Sequence, residues 1–148
     1  MDTGDNIKQA WADVRNDASD TNWYVKCLLG YSLEKNDEIV LVGQGSGSLS
    51  ELKTQLEDDK ILFGVIRVRA VDDHGSKRAK FVFIVFMGSD APSMRRARAS
   101  TDKSEFVRFF NGYHIEIYVD NKEDLSEEAI TSILHSSAGA HKPQRYEF

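Results

Sequence analysis

Hydrophobic positions divide the chain into segments of two periods. Ile7, Ala10, Trp11, Val14 and Ala18 recur at helical spacing, which predicts a helix over residues 5–18 with Asp5 as its N-cap. From residue 22 the period changes to two. Trp23, Val25, Cys27 and Leu29 fall on one side, and Tyr24, Lys26 and Leu28 on the other, so residues 22–29 read as a strand with Cys27 at a core position. Asn36-Asp37 reads as a turn and Glu38–Gly43 as the returning strand of a hairpin. Gly43-Gln44-Gly45-Ser46-Gly47-Ser48 has neither the lysine of a triphosphate loop nor the dinucleotide-binding spacing, and reads as a flexible connection. Ser48 and Glu51 form a capping box ahead of Leu49, Leu52 and Leu56, which predicts a short amphipathic helix.

The strongest strand signals are Ile61–Val71 and Lys80–Gly88, joined through Asp73-His74-Gly75-Ser76. Phe81–Met87 is apolar at every position, the pattern of a central strand covered on both faces. Pro92 suits the first turn of a helix running to about residue 110. Ile115, Ile117 and Val119 alternate in a further strand. Asp124 with Glu127 caps a last helix, whose buried stripe is Leu125, Ala129, Ile130, Ile133 and Leu134. This order predicts a mixed α/β (α+β) fold, a central five- to six-stranded sheet with helices on both faces. Residues 1–139 form one domain, and residues 140–148 a polar tail.

Composition narrows the function. At 148 residues, with 41% hydrophobic and 29% charged side chains, the chain supports its own core. No uncharged apolar run approaches the roughly 20 residues of a membrane span, and the acidic start Met1-Asp2-Thr3-Gly4-Asp5 is no secretory signal. A single cysteine, Cys27, excludes an internal disulfide framework and points to a reducing cytoplasm. The net charge of −5 is unevenly spread: residues 60–103 carry 10 basic and 4 acidic side chains, whereas residues 1–59 carry 5 basic and 12 acidic. A chain acidic elsewhere is a poor general nucleic-acid binder, and one basic segment suits an acidic partner.

No catalytic constellation is legible. His74, His114, His135 and His141 do not stand at metal-ligand spacing, and Asp72-Asp73-His74 lies in a tight turn without a fourth ligand. Asp58-Asp59 also reads as a turn, so neither an enzyme nor a cofactor is expected. The cations carry more information. Lys77, Arg78 and Lys80 open the central strand, with Arg78 and Lys80 on one side and Lys77 on the other. Met94-Arg95-Arg96-Ala97-Arg98 begins the long helix and Lys103 follows, Met94 being an apolar anchor among cations. If this helix starts near the lysine end of the strand, all of these make one patch; the alternative is a solvated charged face.

Several stretches resemble coactosins, members of the actin-depolymerising-factor-homology family. They are Ala10–Asp17 followed by Trp23, Asp58–Phe63, and Thr101-Asp102-Lys103. Ser76-Lys77-Arg78-Ala79-Lys80-Phe81 matches the coactosin Ser-Lys-Arg-x-Lys-Phe signature, and Met94–Arg98 matches their Leu-Gln-Arg-Ala-Lys element. The resemblance covers about residues 5–139 and implies the homology fold, binding to filamentous actin in preference to the monomer, no catalysis and no severing. It assigns much of the filament contact to Lys80 and the remainder to Met94, Arg95, Arg96, Arg98 and Lys103. The other functions compatible with the same cations are cofilin-like severing and depolymerisation, and binding to anionic lipid or nucleic acid.

The chain departs from the family at three places. Coactosins tend to carry lysines where this last helix ends in His135-Ser136-Ser137. Residues 30–47 match poorly. The N-terminus offers Thr3 and no serine for phosphorylation of the kind that controls the depolymerising relatives.

Overall fold

A computed structural model describes residues 3–16, 20–29, 38–97, 113–139 and 142–148. Helix α1 (Thr3–Arg15) leads to the hairpin β1 (Trp23–Leu29) and β2 (Glu38–Gly45), then to the short helix α2 (Ser48–Lys53). The long hairpin β3 (Ile61–Val71) and β4 (Lys77–Met87) follows, then α3 (Ser93–Ala97), β5 (Ile115–Val119), α4 (Glu127–Ser137) and β6 (Arg145–Glu147). The sheet has six strands in the order β2-β1-β3-β4-β5, with β6 also paired to β3. The β4–β5 pair is parallel and the others are antiparallel, so the sheet is mixed as its sequence predicts.

The period of two in β3 and β4 divides the core between two faces. On one face Phe63, Val65, Phe83 and Val85 pack with Ala10, Trp11 and Val14 of α1. On the other, Leu62, Ile66, Val82, Ile84 and Phe86 pack with leucines of α2 and with Ile130 and Leu134 of α4. Val82–Phe86 is buried throughout, which is why that run is apolar without alternation.

Local contacts move several predicted boundaries. Helix α1 begins at Thr3 and ends at Arg15, so Asp5 lies inside its first turn and does not cap it. Its end is set by Arg67, a β3 residue only 6% exposed. The Arg67 guanidinium donates from Nη1 to the carbonyl oxygens of Val14 and Asn16, both at 2.8 Å, and supplies a cation to the negative end of the helix. Gly43 and Gly45 belong to β2, paired with Val25 and Trp23, and are not a flexible connection. The Trp23 indole N–H donates to Glu51 Oε1 at 2.8 Å, directly over this strand. A Cβ on Gly45 would lie 2.0 Å from that oxygen, so a larger residue there would displace the Glu51 carboxylate from the indole.

The capping box is half formed. Glu51 reaches back to the Gly47 N–H, but Gly47 holds the N-cap position and the Ser48 side chain makes no cap bond. Helix α4 is capped by Ser126, whose Oγ accepts the Ala129 N–H at 3.0 Å, and Asp124 belongs to a preceding 3-10 turn. Ile133, predicted in the stripe, is exposed. The side chain of Cys27 and the positions of Ala18 and of residues 98–112 lie outside the described parts of the chain.

Arg67→Ala removes the donor of the buried Val14 carbonyl and of the part-buried Asn16 carbonyl, and is expected to lower the unfolding free energy by about 3 kcal/mol. Urea unfolding followed by tryptophan fluorescence measures this; a loss below about 1 kcal/mol would mean that water replaces the guanidinium.

Candidate functional site

The cationic end of the sheet is built from the β3–β4 turn. Asp72 Oδ1 accepts the backbone N–H of His74 at 2.8 Å and of Ser76 at 2.9 Å, so its pKa is lowered, chiefly by the Ser76 bond. Gly75 supplies the left-handed conformation of the turn, at φ 81°. The turn fixes the register Val71↔Lys77 through Val68↔Lys80, and thereby the direction of each cation.

Arg78 and Lys80 project from the same side as Ala70 and Tyr146. They line a groove of about 600 Å³ whose other wall is Lys142, Pro143 and Tyr146. Arg78 is exposed and Lys80 half-buried, and neither forms an ion pair with another described residue. Lys77 takes the opposite face, as its odd register demands, and its ammonium lies 2.9 Å from Glu147. Glu147 also receives Arg145, and the two cations hold its pKa below the ordinary carboxylate value, Lys77 first.

Arg96 lies elsewhere. Helix α3 follows the Met87 end of β4, and the Arg96 guanidinium donates to the Ser89 carbonyl at 3.2 Å. An 11-residue strand places roughly 30 Å between its ends. The start of this helix, with Arg96, is therefore remote from Lys77–Lys80, because the helix begins where β4 finishes, and the condition for a single patch is not met at Arg96. The side chains of Met94 and Arg95, and all of Arg98 and Lys103, lie outside the described parts of the chain.

Two contributors to the groove escaped the sequence reading. Residues 145–147, taken as polar tail, form β6, with Arg145 opposite Val71 and Glu147 opposite Arg69. The signal was present: Tyr146 and Phe148 alternate with Arg145 and Glu147, and both pack on the core. Lys142 is the second contributor. Its Nζ donates to the His135 carbonyl at 2.6 Å, which brings a cation to the end of α4, where the helix itself has none. Among the described residues no group of three or more His, Cys, Asp or Glu is placed to hold a metal, and no helix is long and apolar enough to cross a membrane.

With this geometry established, comparison with known proteins is decisive. The sequence profile of the cofilin/tropomyosin-type actin-binding proteins matches residues 1–135. The coactosin of Dictyostelium discoideum is 34% identical over 135 residues, a match covering 90% of this chain and 88% of that protein. This chain is a coactosin-type member of the cofilin/tropomyosin-type actin-binding family. The crystal structure of Entamoeba histolytica coactosin superposes with a TM-score of 0.80 at 27% identity, covering 90% of this chain and 94% of that one. Mouse coactosin, described as an actin filament binding protein, gives 0.71 at 28% identity and covers 95% of each chain. Ser76–Phe81 occupies the turn and first residues of β4, and β6 lies beyond the residues that the profile matches.

One titratable group supports this end of the sheet. His114 Nδ1 accepts the Phe81 N–H at 3.0 Å, which requires the unprotonated nitrogen. Burial first, and the Lys80 charge second, lower its pKa below 6.5. As pH falls, the unfolded chain therefore takes up this proton first. The stabilisation is complete above about pH 6.5 and is lost as pH falls through the lower native value. Urea midpoints at about pH 7.5 and 5.5, above the carboxylate range, are expected to differ in the wild type and to differ less in His114→Gln, which keeps an acceptor but cannot titrate. Equal differences in both proteins would assign the pH dependence to other groups.

Proposed function

We propose that the protein binds the sides of actin filaments without severing them, as a non-catalytic component of the cytoplasmic cytoskeleton, with weak or no binding to monomeric actin. The observation that carries this reading is the pair Arg78 and Lys80, cations without an ion-pair partner among the described residues, on the signature strand of a coactosin-type chain. Lys80 is half-buried, and a lysine of that exposure can bury its stem while its ammonium reaches solvent. Lys77 joins from the opposite face while shared with Glu147.

Arg96 stands at the other end of β4, and the resemblance assigns further contact to Met94, Arg95, Arg98 and Lys103. Two separated contact points suit a partner that repeats its surface along its length better than a single globule. Severing demands tighter binding to a distorted filament than to a relaxed one. The exposed end of α4, His135-Ser136-Ser137, adds no charged grip from the helix itself, which favours plain side binding. Docking is electrostatic, against an acidic actin surface, with Met94 desolvated in the contact.

Co-sedimentation with filaments is expected to show binding that Lys80→Ala weakens by about tenfold, with no change in melting temperature. Arg96→Glu combined with Arg98→Glu, and added salt, are each expected to weaken it, since exposed charges are screened over about 8–10 Å. Unchanged pelleting in all three would assign these cations to a solvated face. Single-filament imaging is expected to show decoration with no dose-dependent rise in breaks; a rise, or tight binding to monomers, would place the protein among the severing and depolymerising relatives.

A further inference from the structure

Lys77 is a cation of the β4 start that the free protein already uses. The two ladders fix its side of the sheet. Val71 stands opposite Lys77 on β4 and opposite Arg145 on β6, and Arg69 stands opposite Ala79 and Glu147. Lys77, Arg145 and Glu147 therefore share one side, that of Phe81 and α1, whereas Arg78, Lys80 and Tyr146 take the other. Strands β4 and β6 are not neighbours, because β3 runs between them. Two strand spacings, about 10 Å, separate their backbones. The ion pair of Lys77 with Glu147, at 2.9 Å, thus bridges β3 in the region of Val71, which is 1% exposed.

Glu147 divides its carboxylate between two partners. Lys77 takes Oε1, and Arg145 donates to Oε2 from Nε at 3.2 Å and from Nη2 at 3.0 Å. Both cations lower its pKa, so Glu147 is ionised at neutral pH. The Lys77 side chain is half exposed and that of Glu147 about one-third, and a pair so open to water is weak and exchanges readily. When Lys77 leaves, Arg145 still neutralises the carboxylate, so no unpaired charge is stranded on the sheet.

We infer that Glu147 limits the affinity for the filament: it occupies Lys77 in the free protein, and a carboxylate of the partner must displace it. The inference rests on the proposed filament binding and deepens it. It gives a negative role to a residue beyond the profile match, which ends at residue 135. The contact at Lys77 is then an exchange of one carboxylate for another on the same ammonium, and only the difference between the two pairs adds to binding. A purely structural pair would instead brace β6 over Val71 and leave binding untouched.

The test compares Glu147→Gln, Lys77→Ala and the two combined with the wild type in filament co-sedimentation, with melting temperature as the control for folding. Gln keeps the shape of the side chain and removes its charge. Glu147→Gln is expected to tighten binding by about threefold at low salt, with the gain shrinking as salt is added. In the Lys77→Ala background the same substitution is expected to add nothing. An equal gain in both backgrounds would be the loss of one negative charge without reference to Lys77, and overturns the inference. Unchanged or weaker binding by Glu147→Gln also overturns it, while filament binding by the wild type stands. A second arm needs no filament. Reductive methylation with formaldehyde and a borohydride at neutral pH is read peptide by peptide in a mass spectrometer. Glu147→Gln is expected to raise the rate at Lys77 by about threefold and to leave Lys53 of α2 unchanged. Equal rates at Lys77 in the two proteins overturn its occupation by Glu147. If the wild type fails to pellet, the proposed function fails, and the methylation rates alone decide whether Glu147 holds Lys77.

Discussion

Eleven residue pairs join β3 to β4, and the other elements depend on that ladder. Its middle is covered on both faces, by α1 on one and by α2 and α4 on the other. A strand buried on both sides has no polar face, so its position is set by hydrogen bonding and volume together, and a slip of one residue would exchange the two halves of the core. The same ladder continues beyond the core. From Lys80 back to Lys77 the helices cover less of it, side chains become half-buried and then exposed, and cations replace apolar residues. The cations are thus held on a strand whose backbone is already ordered by folding, so less conformational entropy remains to be lost when they meet a partner.

Much of this was readable along the chain. Ile61–Val71 and Phe81–Met87 are long and apolar enough to declare a central hairpin, and Pro92 marks the approach to a new helix. The boundaries that moved did so where the deciding partner is distant in sequence. Helix α1 stops because Arg67, more than 50 residues later, takes its carbonyls. Gly43 and Gly45 look like a loop because glycine carries no side chain to show a period; they are strand residues because their backbones pair with Val25 and Trp23 of β1. Local composition cannot report either contact.

The candidate site shows the same division. The turn, the register and the two-sided arrangement of Lys77 against Arg78 and Lys80 follow from the period of two, and the structure has them as that period requires. Which cations share a neighbourhood does not follow. A shared patch of Arg96 and Lys80 required the helix to start near the lysine end of β4, whereas it starts beyond the Met87 end. Conversely, Lys142 was set aside with the tail, although β6 returns it to the groove beside Lys80. The three residues of β6 were read as polar tail, and so short an alternating segment is stable only where an edge is ready to receive it. Strand β3 supplies that edge: β1 pairs with Phe63–Ile66, and β6 takes Arg69–Val71 on the same side.

The charge distribution also takes its meaning from distance. A net charge of −5 suggests repulsion from an acidic partner, yet most of that charge belongs to residues 1–59 and 104–148. At physiological ionic strength screening acts over about 8 Å, so a carboxylate two Debye lengths from the contact contributes little to its energy. On the proposed reading the partner meets the local set, the cations Arg78 and Lys80 beside the turn acids Asp72 and Asp73. The remote acids act earlier, during approach, when the whole molecule presents its net sign and unfavourable orientations are rejected. On the proposed reading an acidic body with a small cationic end meets an acidic partner by that end. This orientation costs nothing in the bound state, and it limits adhesion to polyanions that present no acidic segment of matching shape.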